Sequence, residues 1–436
     1  MILTLLLSTA LLSNPVDVAG GNHQTYTLKN GIVLSMGEDL MRPTDKTKTD
    51  WIGGKLGRPI DSKVLPGKDP SQRAEQARYN PSAEPVTGLD GLTIINIASG
   101  QNDAAAITDT GKLYMWGPNN HGQLGLGDTL QRRTATLVPF PPEVIITDVA
   151  IGGGHTLALT STGQVYSWGF GKTGVLGHGS TESLTSPRLI EALSHKTIVA
   201  IATGQNTHSL FLDSEGTIYV CGRNSRHLLG LPLSTKALVS TPIPLQAPAK
   251  FKTIAIGIHT GFAITHDGQL YGWGNGSKAH FPRTQPDGSP DLSDLTRPTL
   301  LENAPPNLVQ VVAGSRHTAV LDDQGRVFTW GIHTVLSGQL GIGPPQPDPH
   351  GHHPSGTIYS SPQQVSLPEN RRAAFLDSLT NNVFLTTTDG LIYGWGQTAH
   401  GRLGCPVDAV HQVSHNGKTL NLAHSPVPIP FSADQD

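Results

Sequence analysis

Cysteine is almost missing: Cys221 and Cys405 are the only two in 436 residues, and neither stands in a Cys-x-x-Cys pair. A disulfide framework and a thiolate metal cluster are both excluded on that count. Charge is sparse, at 14 per cent of residues, and balanced, with 30 basic against 33 acidic side chains and a formal net charge of -3. With no basic or acidic tail, nothing electrostatic points to nucleic acid as the main partner. Aromatics make up 6 per cent. Long apolar runs are lacking too; the opening MILTLLLSTALLSN is too short to span a bilayer as a helix. It has the length of a signal-peptide core, with Ser8, Ala10 and Ser13 as small residues, but no Lys or Arg precedes it. Residues 1–14 therefore read either as a signal peptide, giving an exported chain, or as an extra apolar strand on a cytoplasmic one.

What is plentiful is Gly and Pro, 50 and 33 residues. These are the poorest helix formers, and without a three- or seven-residue period they exclude collagen and coiled coil as well. By length alone the chain suits one large domain or two to three ordinary ones. A repeat decides between them. Trp116-Gly117, Trp168-Gly169, Trp273-Gly274, Trp330-Gly331 and Trp395-Gly396 recur, with Met36-Gly37 and Cys221-Gly222 as degenerate copies. The spacings of 80, 52, 53, 52, 57 and 65 residues fit a unit near 52 lengthened by loops.

Each unit reads as a short apolar strand, a Gly step, a second strand, a tight turn ending in Gly, and a third strand ending in Trp-Gly. Gly-x-Leu-Gly follows, as in Gly122–Gly125. Asn30-Gly31, Asp267-Gly268 and Asp389-Gly390 are hairpin pairs that tolerate positive φ. Gln164 to Trp168 alternates with the period of a strand buried on one face. Trp116, Trp168, Trp273, Trp330 and Trp395 are expected core anchors, each followed by a Gly that admits close backbone. The unit of Trp273 lacks Gly-x-Leu-Gly, reading NGSKAHFPRT instead.

A repeat of this length built of short strands is a propeller blade. The fold predicted is all-β, a seven-bladed β-propeller of four-stranded antiparallel blades over residues 15–436. Insertion loops fall at about 38–53, 60–88, 276–295 and 341–358. Residues 425–431 have no repeat core after them, so they are expected to return and complete the amino-terminal blade, closing the ring.

The pattern Gly-x-x-His-Thr, strand, Asp-Gly, strand, Trp-Gly, Gly-Gln-Leu-Gly resembles the regulator of chromosome condensation family from about Val16 to Phe431. The resemblance implies a protein-binding propeller, with family members that include the exchange factor for the Ran GTPase. Its implied function is non-catalytic: a guanine-nucleotide exchange factor or regulator of a small GTPase, or a scaffold without exchange activity. It implies no cofactor, no metal and a monomer. In the Ran exchange factor an excursion after one Trp-Gly is a wedge against the GTPase. Ile332, His333, Thr334, Val335, Leu336 and Ser337 occupy a similar position, though apolar where that wedge is polar, and are the candidate partner contacts. Plant ultraviolet-B photoreceptors of this architecture carry repeated Gly-Trp-Arg-His-Thr; here the segment is Gly314-Ser315-Arg316-His317-Thr318, without that Trp.

The remaining polar signals are weaker. His23, His155 and His317 follow the Gly step, and Asp103, Thr207, Thr260 and Asn382 are assigned to the same slot in the other units. A polar ring at equivalent positions lines the channel or pairs with local backbone, the second being the common fate of buried polar groups. Gly169 to Gly174 matches Gly-x-Gly-x-x-Gly, but no helix is expected after it, so a dinucleotide site is rejected. Asp348, His350, His352 and His353 cluster in a Pro/Gly-rich loop that reads as solvated rather than metal-binding.

Overall fold

The computed structural model describes residues 17–20, 24–38, 55–57, 79–205, 207–232, 237–334, 337–344, 356–397, 403, 411–415 and 418–429. Residues 1–14, Cys405 and the His350 cluster lie outside them. Seven antiparallel sheets follow one another along the chain, each built from consecutive strands. The third blade shows the pattern: Ile146–Ile151, His155–Thr160, Val165–Gly169 and Leu184–Leu189, in that order from the inside. Neighbouring blades meet through their first strands, which places those strands around a central channel.

The second strand of most blades, such as His155–Thr160, is buried at every position. The third strand is nearly as covered: in Val165–Gly169 only Tyr166 is half-exposed. Alternation in the sequence suggests one buried face. Each blade is instead packed between two others, so both faces of its central strands are core.

Trp-Gly marks a bulge. The register between third and fourth strands shifts at this pair in all seven blades, as between Ser167 and Gly169 or Met115 and Gly117. The Gly takes φ between 96° and 127° in every copy, a conformation that L side chains rarely adopt. A Cβ on Gly169 would also strike the Gly154 carbonyl and the His155 backbone. Glycine is required there twice over.

The tryptophans are fully buried, and each indole Nε1 donates to a backbone carbonyl in the preceding blade's loop. Trp116 bonds Lys55 O (3.2 Å), Trp168 bonds Gln123 O (2.8 Å), and Trp273 bonds Leu228 O (3.2 Å). Trp330 bonds His280 O (2.7 Å) and Trp395 bonds Gln339 O (3.0 Å). Gly-x-Leu-Gly is thus the receptor half of a staple between blades, with its Leu (Leu56, Leu124, Leu229, Leu340) buried beneath. The blade of Trp273 lacks the motif yet keeps the receptor: Ala279, His280 and Phe281 bury themselves and offer the His280 carbonyl. At the fourth blade Cys221 stands for Trp, and its thiol donates to Val175 O at 3.3 Å.

Ring closure differs from expectation. The first blade supplies its own outer strand, Tyr79–Pro85, from within the stretch 60–88 read as a loop. The carboxy-terminal strand, Lys418–Pro428, pairs with Ile392–Gln397 and completes the seventh blade, where His411–His415 adds a fifth strand. Among the described residues, no strand passes from one end of the chain to the other. The last seam is sealed by packing of Asp17–Gly20 against Ala373–Leu379 and Asn382–Thr387, and by Gly20 N donating to the Asp377 carboxylate at 2.7 Å. A blade supplying all its own strands avoids a long-range loop-closure entropy cost, which favours this arrangement.

Candidate partner-binding face

Strand direction puts the connections between first and second strands, and between third and fourth, on one end of the ring. The Gly steps lie on this end. Immediately below them sits a ring of buried polar side chains, one from each blade. Register identifies them by their partner, the Gly of Trp-Gly: Gln24 faces Gly37, His155 faces Gly169 and His208 faces Gly222. Thr260 faces Gly274, His317 faces Gly331 and Asn382 faces Gly396. Asp103 precedes Ala104, which pairs with Trp116, and so takes the place in the second blade. All seven are at most 1 per cent exposed.

Two assignments from sequence are corrected. The slot belongs to Gln24 rather than His23, and to His208 rather than Thr207. In the first and fourth blades three residues lie between the Gly step and the slot instead of two, so Gly-x-x-His lands one residue early. His23 lies outside the described residues, and Thr207 is half-exposed, its hydroxyl 2.9 Å from His208 Nδ1.

The Gly step and the slot are one device. A Cβ on Gly152, Gly204 or Gly314 would collide with the imidazole of His155, His208 or His317. The Nδ1–Cε1 edge of each ring lies against the glycine of its own blade, and two of the rings reach sideways. His155 Nε2 meets Ser209 Oγ of the next blade at 3.1 Å, and that hydroxyl itself donates to Val175 O. His317 Nε2 meets Ser378 Oγ at 3.0 Å, and Ser378 donates to Asn382 O. In both pairs the serine proton is already committed, so the imidazole is the donor, with its proton on Nε2. Asn382, where Leu379 stands for the step Gly, instead donates to Gln397 O at 2.7 Å.

Burial sets the charge of the ring. Desolvation pushes His208 and His317 down to about 3, assisted by neighbouring imidazoles, so both are neutral at physiological pH. Asp103 moves the other way, up to about 7, because burial penalises its carboxylate more than backbone N–H donors help it. His155 and His317 brace the seams between their blades and the next. None of the seven faces solvent.

Above the ring the channel opens in a cavity of about 120 Å³ lined by Gln101, Gly152, Thr203, Gln205, Ile258 and Thr380, among others, contributed by the second to the seventh blades. This mouth is the solvent-facing part of the face.

The candidate wedge lies elsewhere in character. Ile332, His333 and Thr334 prolong the third strand of the sixth blade to eight residues and pair with Gly356–Gln364; all three side chains are buried. His333 Nε2 reaches Gly343 O at 2.8 Å, with Tyr359 and His424 edge-on to its ring. Ser337 is buried against Thr334 and Gln339. Val335 and Leu336 are outside the described residues. Ile332, His333 and Thr334 go into a longer strand, because a paired strand satisfies their backbone and buries their side chains.

The Gly-x-Gly-x-x-Gly match at Gly169 is followed by turns, without a helix. Gly171, the one glycine the repeat left unexplained, sits hard against the Glu182 carbonyl.

Comparison with known proteins matches the RCC1-like domain over residues 53–418. The chain belongs to the RCC1-like family. Ultraviolet-B receptor UVR8 of Arabidopsis thaliana is 31 per cent identical over 356 residues, covering 81 per cent of this chain and 73 per cent of the receptor. The secretion-regulating guanine nucleotide exchange factor of Bos taurus is 28 per cent identical, over 70 per cent of this chain and 64 per cent of that protein. The RCC1-like chain spans only 6 per cent of E3 ubiquitin-protein ligase HERC2 of Mus musculus, at 31 per cent identity. Among solved structures, Prp20p from Saccharomyces cerevisiae shares the fold, with a TM-score of 0.69 at 21 per cent identity over 98 per cent of this chain and 88 per cent of that one. Likeness to the ultraviolet-B receptor does not extend to its repeated Trp: the residues after the step Gly are Gln101, Gly153, Gln205, Ile258 and Ser315. The five described Trp-Gly tryptophans each serve a separate staple.

Proposed function

We propose that this RCC1-like propeller binds a protein partner through the Gly-step face and regulates a small GTPase as a guanine-nucleotide exchange factor. The observation that carries the reading is the likeness to a named exchange factor over 70 per cent of the chain, joined to a face underlain by buried polar groups bonded across seams. Exchange needs no bond-making residue. A factor that holds the nucleotide-free GTPase more tightly than the loaded one shifts the equilibrium toward release. A braced ring suits that task, since a surface that does not yield can impose its shape on a switch region. Fluorescent-nucleotide release from a panel of small GTPases tests the proposal: acceleration of at least one supports it.

A second reading is a scaffold without exchange activity. Burial of Ile332, His333, Thr334 and Ser337 favours it, because four of the six candidate contacts are withdrawn from a partner. Stable capture of a GTPase with no change in release rate would select this reading over the first.

A further inference from the structure

Beside the channel mouth, three consecutive blades bring together cations that no described acid neutralises. Arg223 ends the third strand of the fourth blade and Arg226 lies in the loop after it, and His259 and Lys278 come from the fifth blade. Arg316 follows the Gly step of the sixth. Hydrogen bonds join these segments into one arc. Arg223 N donates to Thr207 O (2.7 Å), and Leu228, two residues beyond Arg226, receives the indole of Trp273 from the fifth blade. Asn275 N donates to His259 O (2.9 Å), which brings the loop carrying Lys278 beside His259. His280 Nε2 lies 3.3 Å from Ser315 O, adjacent to Arg316. All five positions are on the same end of the ring as the cavity mouth.

Arg223, Arg226 and Arg316 are exposed, Lys278 is half-exposed, and none of the four forms an ion pair among the described residues. Burial first, then the charges of Arg226 and Lys278, hold the His259 imidazole below its ordinary value. Of the acids in the same loop, one is ion-paired and two are held by hydrogen bonds. Asp291 is ion-paired with Arg283, Asp294 accepts from Gly276 N, and Asp287 accepts from Ser289. The backbone adds a second, independent mark. Arg226 and His227 both adopt positive φ, 53° and 58°, in a chain where glycine takes most such positions. Left-handed non-glycine residues cost on the order of 1 kcal/mol each and gather at binding and switch sites. Arg226 is exposed at this turn.

Unpaired cations beside a cavity mouth favour an anionic partner. We propose that the arc Arg223, Arg226, Lys278 and Arg316 receives an acidic, extended segment of a partner protein, laid from the fourth blade across the channel mouth to the sixth. A peptide is favoured over nucleic acid by what lies between the charges. Gln205 and Ile258 line the mouth there, suited to backbone and side-chain contacts, and the whole chain is slightly acidic, with a net charge of -3. This inference rests on the protein-binding reading but not on the partner being a GTPase.

The test is fluorescence anisotropy with a labelled Glu-rich peptide, a Lys-rich peptide of equal length and a single-stranded DNA oligonucleotide. It uses the wild-type chain, the double variant Arg226→Glu/Arg316→Glu, and Lys250→Glu, which lies on the opposite end of the ring. Both reversed arginines are exposed, so unchanged thermal melting certifies the fold of the double variant. Expected is salt-sensitive binding of the Glu-rich peptide by wild type and Lys250→Glu, weakened roughly ten-fold or more in the double variant, with no binding of the Lys-rich peptide. Absence of peptide binding by wild type, or equal binding by the double variant, overturns the proposal. So does tighter binding of DNA than of peptide through the same arginines. None of these outcomes bears on nucleotide release, which is measured separately.

Discussion

The seam between the second and third blades and the seam between the seventh and first solve the same problem with different means. At the former, Trp168 Nε1 and Thr156 Oγ1 both donate to the Gln123 carbonyl, at 2.8 and 2.9 Å, and Phe140 packs edge-on against the indole. The chain runs on through that seam, so the two blades are never far apart even when unfolded. At the latter, Met36 replaces Trp, no described strand crosses, and the specific bond is Gly20 N to Asp377. Burial lifts the Asp377 carboxyl to about 6, so at neutral pH the closing acceptor is a charge held partly out of water. Cohesion at the second–third seam thus comes from the Trp staple, whereas among the described residues the last seam shows the Gly20–Asp377 contact and strand packing.

The largest expected effect comes from breaking the strong seam. Trp168→Ala should destabilise the chain by about 3–5 kcal/mol, read as a fall in the denaturation midpoint; a loss below about 1 kcal/mol would deny the staple its role. Next comes the buried acid of the polar ring. Asp103 has a folded pKa of about 7 against 3.8 for the free side chain, so the folded state binds the extra proton between those values. Its contribution is therefore best at low pH and is lost as pH rises from about 4 through 7, by roughly 1.4 kcal/mol for each pH unit crossed. Asp103→Asn should accordingly gain on wild type between pH 5 and pH 8, and a stability difference that is flat with pH would refute the burial argument.

Histidines act in the opposite sense. His208 and His317 fold as neutral groups, so their contribution is full above about 6.5 and falls as pH drops toward 3. Urea titrations of His317→Asn should therefore lose less stability than wild type on going from pH 7 to pH 5. The closing seam comes next: Asp377→Ala leaves Gly20 N without its acceptor and should cost about 1–3 kcal/mol. Asp377→Asn, which keeps an acceptor oxygen, should cost less. Smallest is Cys221→Ala, where a buried thiol with one weak bond is expected to contribute about 1 kcal/mol. If it matched Trp168→Ala, the distinction between stapled and unstapled seams would collapse.

Much of this architecture is legible in the residues. Seven copies of Trp-Gly or its relics, the Gly-ended hairpins and the Gly steps locate three strands of every blade, because each marks a backbone state that few residues adopt. What escaped has a physical cause in each instance. Tyr79–Pro85 forms a strand from polar, Pro-bearing sequence, since an outer strand needs only a ladder of backbone bonds on one side. His208 and Gln24 escaped because one added loop residue shifts the slot while the register does not move. The receptor of Trp330 escaped because a carbonyl is offered by any residue, here His280, and no side-chain motif announces it. The basic arc is scattered over about a hundred residues of sequence, and only the ring brings it together.

If the Gly-step face regulates a GTPase by exchange, it must bind that GTPase selectively in its empty state. Affinities of the chain for one responsive GTPase, stripped of nucleotide and loaded with it, measure this directly. At least about ten-fold tighter binding of the stripped form is the predicted result; equal affinity for the two forms, across a panel in which no release is accelerated, would contradict it.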